Sequence, residues 1–135
     1  MEKIIIDAKN ANLGRVSSIA AKNAISGNDV VVVNCKDAII TGNEKDILEK
    51  YRKLHDMGRG GSIKGPKVIK IPYRIVKRAI RGMLPDHRKG FGRIAFKKVS
   101  CYDECPEEFK DKEKMSFEKP KHNKYIRISK LIDKV

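Results

Sequence analysis

Apolar and polar positions alternate so as to divide the first third of the chain into strand, helix and strand. Residues 3–8 read Lys-Ile-Ile-Ile-Asp-Ala, a short β-branched segment apolar on both faces. That is the pattern of a strand buried inside a parallel sheet. Asn12 is placed to cap a helix over residues 13–26, and Gly27 to end it in the left-handed conformation. Within that window Val16, Ile19, Ala20, Ala24 and Ile25 recur at helical spacing, interrupted once by Asn23. A second buried strand over residues 29–35 contains the consecutive valines Val30 to Val33. Strand, helix and strand so close together form a βαβ unit, whose right-handed crossover joins parallel strands. The fold class is therefore α/β.

The middle of the chain is punctuated by glycine. Residues 37–41 read as a short extended piece before a Gly42-Asn43 turn. Asn43 with Asp46 resembles a capping box, opening a helix over residues 44–55 that buries Ile47, Leu48, Tyr51 and Leu54. Residues 58–67 hold four glycines and a proline, which excludes a stable helix there. Pro72 suits the first turn of a helix over residues 72–83. Ile75, Val76, Ala79, Ile80 and Met83 fall on one side of it, and Arg74, Lys77, Arg78 and Arg81 on the other. Residues 88–93 read as a second basic glycine loop, followed by a helical piece around 94–97 and a last strand over 99–102. Beyond Asp103 the charges mix and Pro106 and Pro120 interrupt, with only residues 125–128 and a Ser129-capped turn over 130–134 expected to be ordered. The expected organisation is a body over residues 1–102 and an extension over residues 103–135 that wraps it. No internal repeat is present.

Charge sharpens this outline. The chain of 135 residues is 40% hydrophobic and 36% charged, with a net charge of +14, enough for one domain with a core of its own. Thirteen Lys and Arg against the single acid Asp86 lie in residues 58–98, so this stretch carries nearly all of the excess. Like charges crowded on a small body repel one another. No acid lies between Asp56 and Asp86 to form intrahelical pairs with the cationic stripe. A polyanion that releases counterions on binding relieves that repulsion, and nucleic acid is the common one. The expected contact residues are Arg59, Lys64, Lys67, Lys70, Arg74, Lys77, Arg78, Arg81, Arg88, Lys89 and Arg93.

Other chemistries find less support. No run of about 18 apolar residues is present to span a membrane. Ile4-Ile5-Ile6 is too short for a signal-peptide core, and the basic helix lacks the bulky aromatics of a membrane-surface helix. Three cysteines, Cys35, Cys101 and Cys105, make no disulfide framework and fit a reducing, cytoplasmic setting. Together with His122 they offer no C-x-x-C knuckle for zinc, and buried thiols are the simpler reading. His55, His87 and His122 have no Ser or Cys partner motif, so no nucleophilic site is expected. Neither glycine loop has the P-loop ending or the G-x-G-x-x-G spacing. No metal, cofactor or small-molecule substrate is expected. An α/β enzyme acting on a nucleotide or phosphate ester near Asp7, Lys9 and Asn34 is the competing reading, since such enzymes bind ligands at carboxyl strand ends. A general nucleic-acid or chromatin binder is a third. With no Trp, four Phe and four Tyr and no aromatic cluster, contacts to RNA backbone and shape are expected, rather than base stacking. No duplex-DNA recognition motif is evident.

Several segments together resemble a known family. They are residues 7–15 (Asp-Ala-Lys-Asn-Ala-Asn-Leu-Gly-Arg), Val31 to Cys35, Ile40-Thr41-Gly42-Asn43, and Ala79-Ile80-Arg81-Gly82-Met83-Leu84-Pro85 followed by Gly92-Arg93. The chain is similar over about residues 3–109 to the ribosomal protein thirteen family of the large subunit, with Arg-Gly-Met-Leu-Pro and the Val99 to Tyr102 strand the most specific marks. The tail from Lys110 resembles the archaeal and eukaryotic branch, including an Ile-Ser-Lys-Leu ending. The resemblance implies a three-layer α/β/α body with a mainly parallel four-stranded sheet and no enzymatic activity. It also implies binding to large-subunit ribosomal RNA, early participation in subunit assembly, and neighbouring ribosomal proteins as partners. Arg81, Arg88 and Arg93 are the contact positions best matched to the family's motifs. Bacterial members carry a glycine-rich turn with aromatic and histidine residues where this chain has residues 54–61, so local contacts there do not transfer.

Overall fold

The computed structural model of the protein describes residues 2–57, 70–117 and 124–135. β1 (Lys3–Asp7) and β2 (Asp29–Val33) pair in parallel, Lys3 opposite Asp29 through Asp7 opposite Val33, and α1 (Leu13–Ile25) forms the crossover. β4 (Val99–Cys101) lies along the other side of β2, also parallel, with Val30 opposite Val99. Residues alternate across the sheet with the strand period of two. Ile6, Val30 and Val32 therefore join the principal core with α1 and the later helices, whereas Ile5, Val31 and Val33 meet Phe109 on the opposite face.

α1 starts where the sequence places it. The Asn12 side chain accepts from the Gly14 N–H at 3.1 Å, and Gly27, with φ of +95°, lies just past the Ser26 cap. Its buried stripe is rotated from the expected one: Leu13, Val16, Ser17, Ala20, Ala21 and Ala24 face inward, and Ile25 is exposed. Asn23 is accommodated because its Nδ2 donates to the Ile19 carbonyl at 2.9 Å. Ser17 Oγ is buried with no partner among the described residues.

α2 (Glu44–His55) has the expected limits. Asn43 occupies the cap position in extended backbone, yet its side chain makes no capping bond, so the expected capping box does not form. Only Ile47 is fully buried on this helix; Leu48, Tyr51 and Leu54 are half-covered.

The sheet differs from the four-stranded expectation. It has three strands in the order β1-β2-β4, and β3 (Ile39–Thr41) instead pairs antiparallel with β5 (Tyr125–Arg127) in a separate two-stranded sheet. After β2, Asn34 turns left-handed at φ of 58°, and a 3₁₀ turn over Cys35–Asp37 redirects the chain. β3 is joined to the preceding structure by one β-bridge, Ile39 to Asn12, by Asn12 Nδ2 donating to Thr41 Oγ1 at 3.4 Å, and by Ile40 packing on the main core. Helical layering is also uneven. α1 and α3 (Pro72–Gly82) share one face of the sheet with Ala95 of α4 (Gly90–Lys97). Phe109 of the four-residue α5 (Glu107–Lys110), with Cys105, covers the opposite face. Met115 adds a single bridge to the outer edge of β1, closing with Met115 N–H to the Ile5 carbonyl at 2.9 Å. Residues after 103 also contribute to the cores: Ile128 of α6 (Ile128–Lys134) enters the main one, and Ile126 and Leu131 form a satellite with Ile47.

Candidate nucleic-acid interface

α3 is built from its amphipathic sequence and anchored at its start. Ile71 is extended, Pro72 fills the first turn, and the Tyr73 N–H donates to Asp103 Oδ1 at 2.8 Å. A carboxylate there satisfies a free helix donor and complements the helix dipole. Ile75, Val76 and Ile80 are buried, while Arg74, Arg78 and Arg81 are exposed. Ala79 is half-covered, and Met83 lies outside the buried stripe at 45% exposure. Among the described residues the salt bridges are Lys36–Glu104 and Lys134–Glu44, so none of the α3 cations is neutralised by a carboxylate. Two of them rest on aromatic rings instead. Lys77 Nζ stands 5.2 Å above the Phe96 ring, and the Arg74 guanidinium lies 5.8 Å from the Tyr73 ring, its Nε donating to Tyr73 Oη at 3.3 Å.

The second basic glycine stretch is not a loop throughout. Gly90 to Arg93 form the first turn of α4. A Cβ at Gly92 would stand 2.3 Å from the Asp86 carbonyl oxygen and 2.4 Å from that of Pro85, so this glycine serves close backbone packing. Arg88, Lys89 and Arg93 are exposed around the start of α4, and the Arg88 N–H is tied to Asp86 Oδ1 at 3.0 Å. Phe91 and Ile94 are exposed beside them.

Other expected contacts separate from this group. Arg59, Lys64 and Lys67, with the first glycine loop, lie outside the described residues, as does His122. Lys70 is exposed but reaches back to donate to the Val135 carbonyl oxygen at 2.9 Å. Lys98, from the same basic stretch, donates to the Gly27 carbonyl at 3.0 Å and so braces the end of α1. The structure thus brings Arg74, Lys77, Arg78 and Arg81 together on α3, and Arg88, Lys89 and Arg93 around α4.

Between α2 and the outer side of α3 lies an open cleft of about 760 Å³. Tyr51, Leu54, Ile75 and Phe96 give it apolar walls. Lys50 joins the four α3 cations in its lining, and no carboxylate does among the described residues. Burial pushes the Tyr51 phenol above its ordinary value, and the Arg78 charge partly opposes the rise. Sequence reasoning missed Tyr51, Tyr73, Phe96 and Asp103. The rings are far apart in the chain, and nothing local to Asp103 marks it as the anchor of a helix thirty residues earlier.

The strand-end residues of the competing enzyme reading have structural partners. Asp7 Oδ1 accepts from the Lys9 N–H at 3.0 Å and from Asn34 Nδ2 at 2.9 Å, tying the ends of β1 and β2. The Cys35 thiol is held well above its ordinary range by a hydrogen bond with Cys101 and by burial, and so stays protonated. All three cysteines are free. Among the described residues, no group of three or more His, Cys, Asp or Glu side chains is placed to hold a metal, and no helix is long and apolar enough to cross a membrane.

Similarity to known proteins identifies the family. The profile of the family described as Ribosomal protein L13 matches residues 1–108. The large ribosomal subunit protein uL13 of Natronomonas pharaonis is 40% identical over 129 residues, covering 95% of this chain and 87% of that protein. The uL13 of Archaeoglobus fulgidus is 39% identical over 126 residues, covering 93% and 77% respectively. That of Methanococcus maripaludis is 42% identical over 106 residues, covering 77% of each. With the family profile matching residues 1–108 and two of these relatives aligned over 129 and 126 residues, the chain belongs to the ribosomal protein L13 family, whose members are structural proteins of the large subunit and not enzymes.

Proposed function

We propose that this protein binds folded large-subunit ribosomal RNA through α3 and the start of α4, and supports early assembly of the subunit in the cytoplasm. The observation that carries the reading is the outer face of α3, where Arg74, Arg78 and Arg81 are exposed and no described carboxylate pairs with them. Repulsion among these charges is relieved when phosphates lie against them and counterions leave. Arginine adds planar, two-pronged phosphate contacts that lysine cannot make. Arg88, Lys89 and Arg93 extend the same field along α4, and Arg59, Lys64, Lys67 and Lys70 belong to the same basic stretch. Residues 1–102 are the RNA-binding body in this reading. Residues 103–135 are an extension that wraps this body, and neighbouring ribosomal proteins are further partners.

Binding of the full chain to large-subunit RNA fragments tests the proposal. With about six to ten phosphates engaged, affinity falls by about three to five orders of magnitude between 50 and 200 mM salt. Affinity that barely responds to salt overturns the mechanism. Equal affinity for bulk duplex DNA would instead make the protein a general polyanion binder.

A further inference from the structure

We propose that the cleft between α2 and α3 holds a single unstacked nucleotide of the bound RNA. This rests on the ribosomal RNA reading above and adds a base-recognising subsite to what is otherwise a backbone-binding surface.

Three features point to it. First, the cavity of about 760 Å³ falls within the size range that encloses a small organic group. Second, its walls join flat rings to cations: Tyr51 comes from α2, Tyr73 and the basic ridge from α3, and Phe96 from α4. A base offers a π-face to such rings, and its phosphate an anion to the adjoining guanidinium groups. Lys77 and Arg74 lie over Phe96 and Tyr73, so a base that stacks on either ring displaces its cation, which is then free to pair with the phosphate. Third, the charge is of one sign. Five cations and no described carboxylate line the cleft. An apolar peptide would bury those charges without partners, which is costly. A duplex lying across α3 would neutralise the arginines but leave the ring-lined floor unfilled. A nucleotide turned out of a loop or bulge satisfies both halves, and such nucleotides are where RNA is read by stacking.

The test uses the full chain and large-subunit RNA fragments. Tyr51→Leu should weaken binding about ten- to a hundredfold, with the slope of affinity against salt unchanged because no cation is lost. Tyr51→Phe should bind like the wild type, since the ring is kept. Ultraviolet crosslinking of the wild-type complex, followed by mass spectrometry, should join Tyr51, Tyr73 or Phe96 to one nucleotide at a fixed RNA position. This measurement decides the matter if Tyr51→Leu does not fold. Wild-type affinity in a folded Tyr51→Leu, or crosslinks absent from all three rings, overturns the subsite while leaving salt-dependent backbone binding intact. Loss of salt dependence in the wild type defeats the underlying reading instead. Adenosine monophosphate supplies a further arm: it should bind the free protein weakly and be displaced by RNA. Retention on the RNA-bound protein would assign the cleft to a free nucleotide and overturn the proposal.

Discussion

α1 and α3 lie on the same face of one sheet and meet it with the same kind of surface, yet their outer sides are unlike. α1 turns Leu13, Val16, Ala20, Ala21 and Ala24 inward, and α3 turns Ile75, Val76 and Ile80. Outside, α1 exposes Arg15, Ser18 and Lys22, cations diluted by a neutral residue, whereas α3 exposes Arg74, Arg78 and Arg81 around a half-covered Lys77. The inner faces follow from burying apolar area and would serve many proteins of this class. The outer face of α3 adds little to the core beyond the contacts of Arg74 with Tyr73 and Lys77 with Phe96, and its cations repel one another. The contrast separates what folds the chain from what binds, and each side can be changed alone.

The largest expected effect comes from the inner side. Ile80 is fully buried, and Ile80→Ala should lower unfolding free energy by about 2–5 kcal/mol, read by denaturant melts. RNA affinity of the remaining folded fraction should hardly change. The reverse experiment is Arg78→Glu with Arg81→Glu. The exposed positions predict a melting temperature close to wild type and a loss of RNA affinity on the order of a hundredfold, with a shallower salt slope. Collapse of that double variant would show that the outer face is structural after all.

Two glycines sharpen the contrast further. Gly92→Ala forces a methyl into the backbone at Pro85 and Asp86 and should cost about 1–3 kcal/mol. At Gly82, on the exposed end of α3, an added Cβ meets nothing within 4 Å, so Gly82→Ala should keep or raise stability by up to about 1 kcal/mol. Any RNA affinity lost in Gly82→Ala then reports close approach of RNA to that backbone.

The smallest effect is one of pH. The Lys134 ammonium holds the Glu44 carboxyl below its ordinary range, and the Lys36 ammonium does the same for Glu104. Because the folded-state values are depressed, these pairs contribute fully above the ordinary carboxylate value of 4.5 and fade as pH falls through the depressed one. Both carboxylates are exposed, so salt screens the contribution. The melting temperature should dip slightly on acidification, and Glu44→Gln with Glu104→Gln should flatten the dip.

Local rules carried much of the fold. Asn12, Gly27 and the apolar runs of β1 and β2 are short-range signals, and α1 begins and ends where those signals put it, whereas α2 has its expected limits without its expected capping box. Glycine misled at residues 90–93, where composition suggested a loop but Gly92 allows a helix to pass close to the preceding backbone. The pairing of β3 with β5 joins three-residue strands some ninety residues apart, and no local pattern specifies such a partner. The cleft escaped for the same reason. Its rings at Tyr51, Tyr73 and Phe96 form a group only once α2, α3 and α4 have packed, and composition alone does not show such a grouping.

The late pairing of β3 has a consequence for synthesis. Chains emerge from their amino end first. Ile39 to Thr41 must therefore wait for Tyr125 to Arg127, and the pocket around Ile47 stays open until Ile126 and Leu131 arrive. A prematurely terminated copy would keep its cationic helix yet present an unfinished core to proteases. A copy lacking the tail would leave Ile47 without Ile126 and Leu131, and the main core without Ile128.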